Sequence, residues 1–467
     1  MTTFKFASKP KVSSALDKNF RPMFLAFRDY VEAVKKTADY EEVTIGLRRS
    51  DEELSVYHTV VFHEDHEDSI YNNLYIERII KTLLWLKGGY QILFKGPERL
   101  GRFIQKAFSF SQLRHFDVTF MERVYERPFE VVILSKDTEL VETEKSKDIG
   151  RHLEGCRIGF DAGGSDRKVS AVIDGKTVFS EEVVWHPKLQ SDPTYHIEGI
   201  KDSLMRAASH LPKVDAIGVS SAGVYIDNHA MVASLFIKVP DDLYKKHIKD
   251  IYINIAKDMG DIPIEVANDG DVTALAGAMS LNANEVLGIA MGTSEAAGFV
   301  NDKGFITGWL NELAFVPVDI SDDAPLDEWS GDMGCGSTCF SQDAVIRLAP
   351  FAGIELDPNL SPAEKLKKVQ ELAEKKHEGA LEIFKTIGIY LGYTLAYYHM
   401  YYHMKHVLIL GRVTSGIGGE LILSEAKNVL KEEFEDLYQS IHIQLPDEAS
   451  RRVGQSIAAA SLTKIYE

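Results

Sequence analysis

Cysteine is scarce: Cys156, Cys335 and Cys339 are the only three in 467 residues, an odd and sparse set that excludes a disulfide framework. Basic charge is short as well. Against 70 Asp and Glu stand 52 Lys and Arg, a net charge of -18, which argues against the cationic face that nucleic acid or an anionic membrane would need. No apolar run of about 18 residues is present to span a bilayer, and residues 1–10 carry no apolar core of signal-peptide length. The expected location is the cytoplasm, with neither nucleic acid nor membrane as a partner. Core-forming residues, by contrast, are plentiful. At 45% hydrophobic and 26% charged, a chain of this length should make about three globular units.

The chain is organised around residues 158–173. Ile158, Gly159 and Phe160 lead into Asp161, Ala162, Gly163, Gly164 and Ser165, and a second β-prone run follows at 169–173. This reads as two strands joined by a glycine hairpin. The glycines leave backbone N–H groups open to an anion, Asp161 at a strand end can hold a divalent cation, and Ser165 offers a hydroxyl to phosphate. A hairpin with an incidental Asp would read the same way.

Before it lies an α+β segment. Phe20, Met23, Phe24, Phe27, Tyr30, Val31 and Val34 recur at helical spacing, and residues 43–47 and 54–62 read as strands. A helix near 69–87 stops at Gly88 and Gly89; residues 90–94 make a strand, and Pro97 opens a helix reaching Phe108. Further strands are expected at 116–124 and 128–134, and the Lys/Glu-rich run 135–150 is the linker. His63 and His66 among four acidic residues read as a solvated loop in preference to a metal site. Lys95-Gly96-Pro97 lacks the glycine fingerprint of an anion cradle.

From Gly155 the pattern becomes two linked α/β units. Strands at 157–160, 169–173 and 178–184 precede a helix near 197–210, and the strand 216–219 ends in Ser220, Ser221, Ala222 and Gly223. After a helix near 242–258, the strand 264–267 ends in Asn268, Asp269, Gly270 and Asp271. The second unit repeats the plan: a strand at 286–291, a turn at Gly292, Thr293 and Ser294, and a strand at 297–300. His399, His403 and His406 end a long apolar helix pattern and read as packing residues, and a small-residue helix is expected near 448–466.

Five stretches resemble a known family in order and rough spacing. Asp161 to Ser165 resembles the DxGGT phosphate loop of sugar kinases in the actin-like ATPase superfamily, and Asn268-Asp269 resembles the ND pair of its ROK branch (repressors, open reading frames and kinases). Gly292 and Thr293 resemble the second phosphate loop, GTGIGGG. Asn311 to Phe315 followed by Val316 to Asp319 resembles GELGHVPVD, and Leu410-Gly411 with Gly416 to Leu421 resembles the late adenosine-side loop and helix.

This resemblance covers about residues 155–467. It implies an α/β, two-lobed actin-like ATPase (ribonuclease H-like) fold, with residues 151–270 as the first lobe, 271–467 as the second, and a C-terminal helix crossing back; residues 1–150 form a separate N-terminal domain. It implies ATP and Mg²⁺ as cofactors and a sugar as partner, and it leaves a homodimer open. Asp269 would be the catalytic base, Asn268 and Glu312 would fix the acceptor, and Asp161 would position Mg²⁺. Gly163, Gly164, Ser165, Gly292, Thr293, Gly411 and Gly416 would surround the nucleotide.

The departures are specific. The family's zinc uses the His of GELGH and three cysteines of CxCGxxGC, but Phe315 stands at the His and only Cys335 and Cys339 remain in that segment, so no zinc is expected. Phe315 offers a face for a sugar ring or fills space that a metal would take. Ser341 or Gln342 stands where a second sugar-binding Glu belongs, and Glu295 beside the second loop repels phosphate unless it points away or meets the metal. The expected activity is ATP-dependent phosphorylation of a hexose, acylated hexosamine or related polyol. The alternative is a catalytically weak, sugar-binding sensor without a DNA-binding domain.

Overall fold

The hairpin around Gly163 and Gly164 forms as its sequence dictates. In this computed structural model, which describes residues 3–144, 147–446 and 454–465, the strands Cys156–Ala162 and Asp166–Ile173 pair antiparallel with Asp161 opposite Lys168. They belong to a five-stranded sheet ordered Ile264–Asn268, Ala216–Ser221, Cys156–Ala162, Asp166–Ile173, Lys176–Val184, whose first three strands run parallel. On one face Ile158, Phe160, Val169 and Ala171 form a core with Trp185 and with Ile200 and Leu204 of the helix Pro193–Ala208. On the other, glycine is obligatory. A Cβ on Gly159 would lie 1.6 Å from the Ser456 carbonyl oxygen, and one on Gly218 would lie 1.7 Å from that of Ala459, so the helix Gln455–Ala460 sits directly on the sheet backbone.

This sheet is the centre of the smaller of two compact units, Ser146–Gly288, Ala297–Gly308 and Pro446–Glu467. The larger comprises Met1–Lys145, Ile289–Ala296 and Trp309–Leu445. Where the sequence suggests boundaries at 150 and 270, the N-terminal 145 residues thus share a unit with most of the region after Trp309. Another sheet is ordered Glu295–Val300, Val286–Met291, His406–Leu410, His442–Gln444.

In the larger unit a four-stranded sheet is ordered Leu54–Phe62, Tyr40–Arg48, Gln91–Lys95, Glu130–Ile133. The expected strand at 116–124 is instead the helix His115–Tyr125. Phe116, Val118 and Phe120 mimic a period of two, but Val118, Met121 and Val124 are buried at a spacing of three, alongside a paired Asp117. Tertiary burial overrides the aromatic β-propensity. The C-terminal helix is short, Gln455–Ala460; the first part of the span expected for it lies outside the described residues. The histidine series is divided between a helix end at His399, a loop at His403 and a strand start at His406.

Among the contacts that tie the N-terminal segment to the region after Trp309 are three sets. Arg21 and Met23 donate backbone N–H groups to Asp319 and Val318 at 3.0 Å. The ring of Phe315 lies 4.3 Å from that of Trp85 and 5.4 Å from that of Phe116. Asp332 receives Arg78 at 2.7 Å, Arg114 at 2.6 Å and Lys81 at 3.1 Å, and Glu77 and Asp117 complete a buried network of three cations and three anions.

Candidate active site

Parallel strands that end at one level put their last residues side by side. Asp161 is registered with Ser220, Ser220 with Ala267, and Ser221 with Asn268, so the carboxyl ends of three strands gather Asp161, Ser220, Asn268 and Asp269 in the smaller unit. Ligands of open α/β sheets bind at such an edge. Ser220 Oγ donates to Asp161 Oδ1 at 2.8 Å, and Gln455 Nε2 donates to Ser220 Oγ at 2.9 Å and to the Asp269 carbonyl at 3.0 Å. Asn268 caps the helix Asp269–Leu281: its Oδ1 accepts from Gly270 N at 2.7 Å while its amide donates to the Gly223 carbonyl. The cap leaves Asp269 as the first helical residue, its Oδ1 accepting from Gly270 N at 3.0 Å.

Burial pushes the Asp161 carboxyl up to about 6, against the Ser220 hydrogen bond and with Asp269 adding to the rise. Burial also raises Asp269, although part of that residue still meets solvent, and the Gly270 N–H opposes the rise. Asp161 offers hard carboxylate oxygens at the strand end, the donor type that Mg²⁺ takes. In the hairpin, Gly163 presents its carbonyl to Trp185 Nε1 at 2.7 Å, while Gly164 and Ser165 are exposed. Sequence reasoning passed over Ser220 and Gln455. The serine stood in a strand end already marked; Gln455 carried no signal at all, because its role depends on where the last helix lands.

In the larger unit, Gly292 accepts from Gln342 N at 2.8 Å through its carbonyl, and Arg412 donates to Thr293 Oγ1 at 3.4 Å. Gly411 has φ of 100°, and a Cβ there would lie 2.3 Å from the Met291 carbonyl oxygen, so only glycine fits. At Gly416 the carboxylate of Glu374 accepts from Ile417 N at 3.0 Å, the start of the helix Ile417–Glu433. Glu312 donates its backbone N–H to the Trp85 carbonyl at 3.0 Å. Phe315 stands in the ring cluster with Trp85. Cys335 and Cys339 are buried, burial pushing the Cys335 thiol up to about 12 and Cys339 higher. No group of three or more His, Cys, Asp or Glu that could hold a metal ion occurs among the described residues.

Glu295 is turned into the core, 4% exposed, with Tyr398 donating to its Oε1 at 3.5 Å. Burial pushes its carboxyl up to about 8, the Tyr398 hydrogen bond opposing and Glu312 adding to the rise. The folded state therefore holds a proton that the unfolded chain has lost above its ordinary value of 4.5. Stability from this group is full below that value and is lost as the pH rises to about 8. Between about pH 5 and pH 8, Glu295→Gln is expected to lose less stability than the parent chain, by at least about 1 kcal/mol in urea titrations. Parallel declines for the two proteins would show that Glu295 is ionised when folded.

The ROK family model matches residues 157–454. The chain belongs to the ROK family. Its fold resembles that of the ROK hexokinase from Thermus thermophilus, with a TM-score of 0.51 at 18% identity, covering 66% of this chain and 97% of the hexokinase. Two further ROK structures have scores below 0.5. A glucokinase from Streptomyces griseus, solved with glucose and AMPPNP, has a TM-score of 0.44 at 20% identity over 66% of this chain and 99% of its own. A transcriptional regulator homologous to the MLC protein of E. coli has 0.49 at 16%, over 66% and 79%. A search of curated proteins by sequence gives no match. The ROK match begins at Arg157, so the α+β segment before it is an addition to the ROK region, and the α/β, actin-like ATPase class expected from the motifs is the class of this fold. No helix among the described residues is long and apolar enough to cross a membrane.

Proposed function

We propose that this ROK protein transfers the γ-phosphoryl group of ATP to a hydroxyl of a hexose, acylated hexosamine or related polyol. The observation that carries the reading is Asp269 at the head of its helix, held by the Asn268 cap and next to Asp161 on the same sheet edge. A carboxylate raised by burial is a better proton acceptor than one in water. The acceptor oxygen would bond to the γ-phosphorus as the bond from that phosphorus to the β-bridging oxygen breaks, and the hydroxyl proton would pass to Asp269. Asp161 would hold Mg²⁺, which when bound supplies charge neutralisation for the phosphate oxygens. Ser165 and Thr293 would donate to phosphate, the backbone of Gly163, Gly164 and Gly292 leaving room for it. Gly411 and Gly416 would shape the nucleotide side, and Glu312 and Gln342 would pair with sugar hydroxyls. The action is placed in the cytoplasm.

Coupled ADP formation against a sugar panel, with Mg²⁺, tests this. One sugar class is expected to raise ATP consumption well above background hydrolysis. A second reading, a sugar-binding sensor with little turnover, is favoured by the packing of Phe315 among Trp85 and Phe116. A sugar that stabilises the protein thermally yet never stimulates ADP formation would select the sensor and reject the kinase.

A further inference from the structure

The larger unit contains a cavity of about 250 Å³ that has no part in the chemistry above. Ile45 and Leu47 from one strand and Leu83 from the helix Asn72–Lys87 line it. Aromatic rings line it too: Tyr57 and Tyr401 lie 5.6 Å apart at 30°, and Lys87 Nζ lies 4.5 Å from the ring centroid of Trp309. Lys87 is also 3.7 Å from Glu142. Glu142, half exposed, and Met400, 39% exposed, stand at the solvent edge, with His403 beside them.

Each feature narrows the ligand. A dry core defect would be lined by aliphatic groups alone, whereas this cavity carries an ammonium, a carboxylate and an imidazole. The paired Lys87 and Glu142 disfavour a ligand of either sign, because one member always repels it. Together they suit hydroxyl groups, which donate and accept at once. Burial lowers the Lys87 pKa, with Glu144 and Glu142 opposing, so its ammonium gains from a neutral partner that restores hydrogen bonds without adding a charge to desolvate. The aromatic rings add an apolar lining beside the ion pair, which suits the mixed C–H and O–H surface of a pyranose, and the volume of about 250 Å³ falls below the usual range for drug-sized ligands. We propose that this cavity is a second sugar site, binding a single neutral monosaccharide between the N-terminal segment and the region after Trp309. It does not depend on turnover at Asp269.

The four tryptophans allow a direct test. The full chain labelled with 5-fluorotryptophan would be titrated, without nucleotide, with D-glucose, D-mannose, N-acetyl-D-glucosamine and their 6-phosphates, followed by fluorine NMR. The Trp309 resonance, identified by its loss in Trp309→Phe, is expected to shift saturably with a neutral sugar. Trp185, bonded to Gly163, reports the candidate active site in the same spectrum. Lys87→Met should raise the half-saturating concentration for the Trp309 shift by about tenfold or more, and Glu142→Gln, at a half-exposed position that tolerates change, by several-fold. A Trp309 resonance that no sugar moves, or that only the 6-phosphates move, overturns the proposal. So does an unchanged half-saturation in both variants.

Discussion

Asp269→Asn is expected to lower sugar-stimulated ADP formation by about 10²-fold or more, the loss falling on kcat. The asparagine keeps an oxygen to accept from Gly270 N, so the helix start and the cap by Asn268 survive. The lost function is the proton acceptor. Nucleotide binding, read as a thermal shift with ATP and Mg²⁺, should change little, because the glycine turns that would meet the phosphates are untouched. A variant that turns over at near the parent rate would show that another group takes the proton. One that loses kcat and nucleotide binding together would place Asp269 in the nucleotide site instead.

Asp332→Ala is expected to destabilise the larger unit by about 3–5 kcal/mol. Arg78, Lys81 and Arg114 all converge on this carboxylate, and Lys81 and Arg114 are nearly fully buried. Burial alone would push the Asp332 carboxyl up; the three cations overcome it and hold it well below the usual range. Its stabilisation is therefore present above the unfolded carboxylate's value of about 4 and is lost as the pH falls toward the depressed folded value. Removing the carboxylate leaves three buried cations facing only Glu77 and Asp117. Guanidinium denaturation followed by tryptophan fluorescence would measure the loss, since Trp85 donates to Asp117 at 2.6 Å in the same network. A cost below about 1 kcal/mol would mean that water relieves these cations, and the network would then be no more than a set of surface pairs.

The two experiments concern different layers of one design. Asp269 can be read in the sequence because its neighbours repeat a local pattern: an apolar strand, then Asn, Asp and Gly at the turn into a helix. Asp332 has no such signature. Its partners lie more than 200 residues away, and nothing in the run around Asp327 to Cys335 distinguishes it from a polar loop.

Local chemistry settled much of this protein in advance. Apolar periodicity and glycine punctuation determined the hairpin at Asp161, the strand ends that carry Ser220 and Asn268, and the repeated strand–turn plan at Gly292, because strands and turns depend on residues close in the chain. Charge and composition determined that the chain has abundant core and few thiols. The tertiary structure alone decided where burial falls: it made residues 116–124 a helix, turned Glu295 inward, set Phe315 among the rings of Trp85 and Phe116, and brought Gln455 to Ser220. Each of these outcomes depends on which surfaces meet, and surfaces remote in sequence meet through packing that no local pattern encodes.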